Sequence, residues 1–155
     1  MVGRHDFITN VAMAEEMVKY ILNAVEGLPR PALNWKPEPD MNSIAVLVSH
    51  LTGADRFWIG DVVDQTPSGR DREAEFKVNN IGLDALKNRL DESLGYVRKA
   101  VAKLSLADLA EKRVAREGQT VTVTWALLHT VEHSSLHLGH VEVTRQMWQI
   151  SQGAD

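Results

Sequence analysis

The chain contains no cysteine among its 155 residues. Disulfide bonds, cysteine nucleophiles and thiolate metal ligands are therefore excluded, and a bound metal must be held by nitrogen and oxygen. Long apolar runs are also missing, because every hydrophobic stretch is short and interrupted by polar residues. We therefore expect no transmembrane helix and no membrane partner.

An excess of positive charge is absent as well. The 17 basic and 21 acidic residues give a net charge of -4, which argues against nucleic acid as a partner. Residues 1–6 lack the apolar core of a signal peptide, which predicts a cytoplasmic protein. The 44% hydrophobic and 25% charged fractions are typical of a globular protein, and the length predicts one domain over residues 1–155.

Four stretches have the apolar periodicity of long helices. The first stripe alternates spacings of four and three: Phe7, Val11, Ala14, Val18, Ile21, Val25 and Leu28. The second helix ends near Asp64, the third spans about 81–103, and the fourth contains 125–147. The predicted N-caps are Asn42 or Ser43 for the second helix and Thr122 or Thr124 for the fourth. The longer connections predict an all-α four-helix bundle with long crossover connections.

The connections differ in composition. Residues 30–40 contain three prolines and Trp35, which predicts a rigid, extended strap with the tryptophan packed on the bundle. Residues 65–80 combine Pro67, Gly69 and a run of charges, so we expect a solvated loop without a function of its own. Alternating valines over 113–124 predict either a small β-hairpin or an extended strap.

Histidine is concentrated in the fourth helix. Four of the six histidines lie within twelve residues, at spacings of four, four and three: His129, His133, His137 and His140. Residues three and four apart share one face of a helix. The same face carries Trp125, Leu136, Val143 and Met147. The pattern predicts a row of imidazoles on the buried side of this helix.

A metal site is one interpretation of these histidines. His133 and His137, four residues apart, can both reach a single ion. His50 lies in the middle of the apolar face of the second helix and is the candidate for a third ligand. Three imidazoles suit Zn²⁺ or Ni²⁺, with Fe²⁺, Co²⁺ and Mn²⁺ as further candidates, and would leave coordination positions open, as in catalytic sites.

The alternative interpretation is a histidine-rich core without metal. Each buried imidazole would then need a hydrogen-bond partner, and burying any of them in the charged form would be costly. His129 and His140 are not needed for the metal triad. Together with Trp58, they are candidates for lining the pocket or for hydrogen-bonding a metal ligand.

Three segments resemble motifs of one family. Trp35-Lys36-Pro37 is similar to its Trp-x-Pro loop, Asn42–Leu51 to its Ser-Ile-x-x-x-Leu-x-His-Leu segment, and His129–His140 to the histidine motif of its last helix. The family is the DinB-like superfamily, with its DinB/YfiT-like thiol-dependent transferases and its domain-of-unknown-function branches. The resemblance covers about residues 5–150.

The resemblance implies a metal triad of one histidine from the second helix and two ligands from the last, which fall on His50, His133 and His137. It also implies that the metal activates a low-molecular-weight thiol, such as bacillithiol or mycothiol, for transfer or isomerisation. The small-molecule substrate is undefined, because some relatives with a Gly-His ending carry a glutamate at the position of His133. A homodimer is expected, since the family often dimerises.

Other functions stay open on the sequence. A metal-bound water attacking an amide or ester would use the same three histidines, which would make the protein a hydrolase. A non-enzymatic, stress-linked dimer stabilised by the metal is a second alternative. A helical nucleic-acid-binding protein is disfavoured, because the acidic chain has no dense basic stripe.

Overall fold

The structure is a computed structural model that describes the backbone of residues 3–153 and the side chains of residues 11–153. Its long helices are α1 (Gly3–Val25), α3 (Ile44–Asp55), α5 (Leu83–Val101) and α6 (Val123–Ser151), and its short helices are α2 (Arg30–Asn34) and α4 (Arg72–Phe76). This all-α bundle with crossover connections confirms the predicted fold class. None of the helices within the described range has the length and apolarity needed to cross a membrane.

The apolar stripes of α1 and α5 form much of the core. Ile21 and Val25 of α1 are buried, as are Leu86 and Leu90 of α5, and all four belong to one hydrophobic cluster. Burial of each such side chain contributes roughly 1.5–3 kcal/mol relative to exposure. Phe7, the first residue of the predicted stripe, lies outside the side chains that the structure describes.

Helix α3 runs through the middle of the bundle. Ser43 is its N-cap, and its hydroxyl accepts a hydrogen bond from the Val46 backbone N–H at 3.3 Å. Nearly every residue of α3 is buried, because neighbouring elements cover all of its faces. The chain continues without interruption into a π-helical segment, Arg56–Asp64, so the second long helix ends at the predicted residue. Helices with π geometry are often found at functional sites.

The connection after α1 is less extended than predicted. Residues 30–34 form the one-turn helix α2, which tolerates Pro31 because a proline in the first turn displaces no intrahelical hydrogen bond. Asn34 ties this turn to the segment just before α5, since its side chain donates a hydrogen bond to the carbonyl of Ile81 at 2.8 Å and accepts one from its N–H at 3.0 Å. Trp35 packs edge-to-face on Trp148, with the ring centroids 5.7 Å apart.

A two-stranded hairpin precedes α6. Strands β1 (Lys112–Val114) and β2 (Thr120–Thr122) pair antiparallel, with Lys112 opposite Thr122. The turn between them places Gly118 at φ +75°, a conformation that suits a residue without a Cβ. Thr122 also caps α6, because its hydroxyl accepts a hydrogen bond from the Trp125 N–H at 3.1 Å.

The orientation of α6 differs from the prediction. Leu136 and Val143, predicted to share a buried face with the histidines, are 58% and 53% exposed, and His140 is exposed too. The buried face is another one: Val123, Ala126, Leu127, Thr130, Val131, Ser134, Val141 and Thr144. Apolar residues occur on several sides of this long helix, so their periodicity does not settle which side is packed. The histidine row therefore lies along the edge of the core, with His133 and His137 half-buried.

Candidate metal centre

Three imidazoles converge where α3 crosses α6. One ring nitrogen each from His50, His133 and His137 lies within 4.8 Å of the other two. The ring centroid of His50 is 5.2 Å from that of His133 and 5.1 Å from that of His137. One helical turn separates the two α6 histidines, whose Nε2 atoms are 3.2 Å apart. The structure thus brings the three predicted ligands together from two helices.

The environment keeps these rings neutral at pH 7. Burial, followed by the repulsion that a protonated ring would feel from neighbouring protonated histidines, lowers the pKa of His133 to about 3 and that of His137 to about 4. Burial also lowers the pKa of His50. Neutral imidazoles present the nitrogen lone pairs that a metal ion requires.

The donor set fits a divalent transition metal. Two ligand nitrogens that are each about 2.0–2.1 Å from one ion are themselves separated by roughly 3 Å, close to the spacing of the His133 and His137 Nε2 atoms. The buried Nδ1 of His133 has no hydrogen-bond partner among the described residues. Only three protein ligands converge in the part of the chain described, which corresponds to an open site.

His50 is held in place by a carboxylate that the sequence analysis missed. Its Nδ1 lies 3.0 Å from Glu75 Oε2. Both oxygens of Glu75 also accept hydrogen bonds from Arg70, one of them at 2.7 Å, so the carboxylate is charged and acts as the acceptor. Nδ1 of His50 therefore carries the proton, and Nε2 is left with the lone pair.

The expectation that residues 65–80 form a solvated loop is only partly right: most of the segment is exposed, but it contains a helix and the side chains of Arg70 and Glu75 are buried. Helix α4 lies within this stretch, capped by Asp71, whose carboxylate accepts from the Ala74 N–H at 3.0 Å. Glu75 is only 8% exposed, because Arg70 and His50 satisfy its charge inside the protein. The one local signal is Phe76, an aromatic residue in an otherwise polar segment, whose ring centroid lies 4.9 Å from that of His50.

Two tryptophans surround His129. Its ring stacks on Trp125 with a centroid distance of 4.7 Å and meets Trp58 edge-on at 4.8 Å. Its Nδ1 lies 3.1 Å from a carboxylate oxygen of Glu132, and its ring centroid is 6.0 Å from that of His133. His129 and Trp58 thus lie beside the three-histidine cluster without joining it.

His140 lies on the other side of the cluster. Its Nδ1 is 3.4 Å from Nδ1 of His137, and the two ring centroids are 5.4 Å apart. A hydrogen bond between these atoms would fix the tautomer of His137 and leave its Nε2 facing His133. His140 is exposed, so water competes for the same contact.

Comparison with known proteins identifies the family. The model of the DinB superfamily matches residues 13–141, which is well over half of the chain. The chain belongs to the DinB superfamily. The resemblance found in the sequence is therefore confirmed.

Two known proteins are similar to this chain, one in sequence and one in fold. The chain is 27% identical over 122 residues to the uncharacterized protein YkkA of Bacillus subtilis, and the match covers 70% of this chain and 67% of that protein. Its fold is similar to the crystal structure of a mutant of the mycothiol-dependent maleylpyruvate isomerase, with a TM-score of 0.61. That match covers 89% of this chain and only 62% of the isomerase, at 15% identity, so it shows the fold alone.

Proposed function

We propose that this DinB-superfamily protein binds one divalent transition metal, Zn²⁺ or Ni²⁺, through His50, His133 and His137. The ion would activate a low-molecular-weight thiol, of the bacillithiol or mycothiol type, for transfer to an electrophilic small molecule. The observation that carries the proposal is the convergence of three neutral imidazoles, with two Nε2 atoms 3.2 Å apart.

The chemistry follows from the donor set. A divalent cation lowers the pKa of a coordinated thiol and so provides a thiolate near neutral pH. All three ligands are uncharged, so none of the charge of the ion is neutralised by the residues that hold it. Glu75 fixes the proton of His50 on Nδ1 and directs Nε2 to the site. The protein has no cysteine, so the thiol must come from a cosubstrate.

Aromatic rings lie beside the proposed metal site. His129, which contacts Trp58, has its ring centroid 6.0 Å from that of His133, and the ring of Phe76 contacts that of His50. Aromatic rings at a site provide contact area for a small molecule. The name of the structurally similar isomerase, which is mycothiol-dependent, supports a thiol as the cosubstrate.

Elemental analysis tests the metal part of the proposal. The purified protein is expected to carry about one transition metal per chain, and the His50→Ala variant is expected to lose it. His129→Ala is the matched control, because His129 lies beside the cluster and outside the triad. Equal metal content in His50→Ala and the wild type would remove His50 from the triad.

Cobalt substitution tests the thiol part. A thiol that binds the open position is expected to change the visible spectrum of the Co²⁺-loaded protein, since sulfur replaces an oxygen ligand. A spectrum that stays the same at saturating 2-mercaptoethanol would instead favour a structural metal, as in a metal-stabilised dimer without catalytic activity.

A further inference from the structure

A cleft with a volume of about 250 Å³ lies between α3, α4 and α5. Helix α3 contributes one face to it, because Ser49, Thr52 and Arg56 follow one another at spacings of three and four. Glu75 of α4 also lines the cleft, whereas none of the three histidines of the candidate metal centre does. The cleft is therefore a separate site that shares one carboxylate with the metal centre.

Two buried side chains of the cleft have hydrogen-bonding capacity to spare. Ser49 is 2% exposed, and its Oγ has no hydrogen-bond partner among the described residues. The side chain of Arg70 is 7% exposed and bonds Glu75 through Nε and Nη2, which leaves the protons of Nη1 for another acceptor. Buried polar groups without partners are unfavourable, so a ligand that bonds both groups would be stabilised.

The charges that line the cleft cancel. Three arginines and three carboxylates are among its lining residues: Arg56, Arg70, Arg89, Asp71, Glu75 and Glu92. The two buried members of this set, Arg70 and Glu75, form an ion pair with each other. A lining without net charge gives neither a cation nor an anion an electrostatic advantage over a neutral molecule.

Hydroxyl groups are frequent in the lining, and aromatic rings are missing from it. Four of the fourteen described residues that line the cleft are serine or threonine, and the apolar side chains are those of Ala74 and Val78. A hydroxyl group on a ligand can both donate and accept, so it can pair with a guanidinium, a carboxylate or another hydroxyl. The lining thus suits a molecule rich in hydroxyl groups better than a flat aromatic one.

We propose that this cleft binds a small, neutral molecule with several hydroxyl groups, held by Ser49 and Arg70. One ligand oxygen accepts from Nη1 of Arg70, and another pairs with the hydroxyl of Ser49. Pockets for drug-sized molecules have volumes of roughly 300–1,000 Å³, so the ligand is smaller than these, of the size of a short polyol or a simple sugar. The site needs no metal and does not rest on the proposed function. Its ligand would contact the ion pair that holds His50 in place.

The first experiment titrates xylitol, a neutral five-carbon polyol, into the metal-free protein and follows N–H resonances by NMR. The Nε–Hε resonance of Arg70 and the backbone resonance of Gly53, which also lines the cleft, are expected to shift in a saturable way. The backbone resonance of Gly139 on α6 is the reference and is expected to stay in place. Thermal unfolding is a poorer measurement, because polyols stabilise proteins in general through exclusion from their surface. Absence of a saturable shift would overturn the proposal.

A titration with phosphate at constant ionic strength tests the chemical class of the ligand. Phosphate is expected to leave the resonances of Arg70 and Gly53 without a saturable shift, because the lining has no net charge. Saturation by phosphate at the same concentration as xylitol, or at a lower one, would show that the cleft is an anion site and would overturn the proposal.

Two variants test the role of Ser49. Ser49→Ala is expected to weaken xylitol binding by about threefold to tenfold, the effect of one lost hydrogen bond. Its thermal midpoint without xylitol is not expected to fall, because the hydroxyl has no partner in the protein. Ser134→Ala is the matched control, since Ser134 is equally buried on α6, lies outside the cleft and donates to the Thr130 carbonyl at 2.8 Å. It is expected to bind xylitol as the wild type does.

The variants also give results that would contradict the site. Equal xylitol affinity in Ser49→Ala and the wild type would overturn it, as would equal losses in Ser49→Ala and Ser134→Ala. All of these measurements use the metal-free protein. A failure to bind xylitol would therefore leave the proposed metal site standing, and a failure to bind metal would leave the cleft site standing.

Discussion

His50 Nδ1 lies 3.0 Å from Glu75 Oε2, and this contact joins the central helix α3 to the short helix α4. The carboxylate is itself fixed by Arg70, which is only 7% exposed. Such a contact selects one tautomer of the imidazole and makes the other nitrogen a better ligand. The proposed metal site therefore depends on a residue that belongs to neither of the helices that supply its ligands.

Replacing Glu75 by glutamine is expected to weaken metal binding by about tenfold, at the lower end of the range for such partners. The amide oxygen can still accept from His50, but the negative charge that makes the imidazole more basic is lost. Competition with a metal-sensitive dye measures the change. Glu73→Gln is the control, because Glu73 belongs to the same helix and is 85% exposed. If both variants bind metal as the wild type does, the contact has no effect on the site.

Gly53→Ala is expected to destabilise the protein and to reduce metal affinity. A Cβ at this position would overlap the Glu75 carboxylate, which cannot shift without weakening its hydrogen bonds to Arg70 and His50. We expect a loss of about 1–3 kcal/mol in the free energy of unfolding, as for other overpacked sites.

Gly95→Ala provides the opposite expectation for the same chemical change. Gly95 lies inside α5, and an added Cβ would meet no atom within 4 Å. The substitution is expected to stabilise the protein by about 1 kcal/mol, because alanine has the higher helix propensity. Denaturant titration of both variants checks the pair, and a similar change in the two would show that Gly53 is not sterically constrained.

Removing the metal is expected to lower the midpoint of thermal unfolding. An ion that binds only the native state at 1,000 times its Kd adds about 4 kcal/mol of stability. For a chain of this length, that corresponds to roughly 8–16 °C. Calorimetry with and without a chelator measures the difference, which is expected to disappear in His133→Ala. A chelator effect that persists in this variant would show that its cause lies elsewhere.

Asp55 is expected to make stability fall as the pH rises. The residue is buried, its Oδ2 accepts from Ser93 at 2.8 Å, and its Oδ1 has no partner among the described residues. Burial raises its pKa from 3.8 to about 7. Between those values the folded protein keeps a proton that the unfolded chain releases. The stabilising effect of that proton is complete below pH 3.8 and is lost by about pH 7.

Asp55→Asn removes this dependence, because the amide resembles the protonated acid. The free energy of unfolding of the variant is expected to exceed that of the wild type at pH 8 by up to about 4 kcal/mol, and the difference is expected to shrink as the pH falls toward 4. Urea titrations from pH 4 to 8 measure it. Asp91→Asn, exposed on α5, is the control. A difference that does not vary with pH would contradict burial of the carboxyl group.

Much of the bundle could be predicted from local sequence features. Periodicity within α1 and α5 identifies the residues that pack, because one side of each helix is consistently apolar. Ser43 and Thr122 were both among the predicted caps, since a hydroxyl that accepts from an N–H three residues later is a short-range interaction. The alternation of valines was compatible with either a hairpin or an extended strap, and the structure has the hairpin.

The histidines of the candidate site could likewise be predicted from local sequence features, whereas the orientation of the helix that carries two of them could not. The spacing of His133 and His137 places both on one face of a helix, and the central position of His50 on its own apolar face made it the candidate partner. The outward position of Leu136 and Val143 could not be predicted, because apolar residues occur on several sides of α6 and only the packed neighbours decide which side is covered.

The sequence by itself determined the helices, their caps and the histidine spacing, because these depend on residues a few positions apart. Only the tertiary structure decided that Glu75 supports His50, twenty-five residues away. Contacts of this kind leave no periodic signal, since they depend on how separate elements pack. A charged segment that appears solvated in the sequence is thus partly buried, because its partners come from elsewhere in the fold.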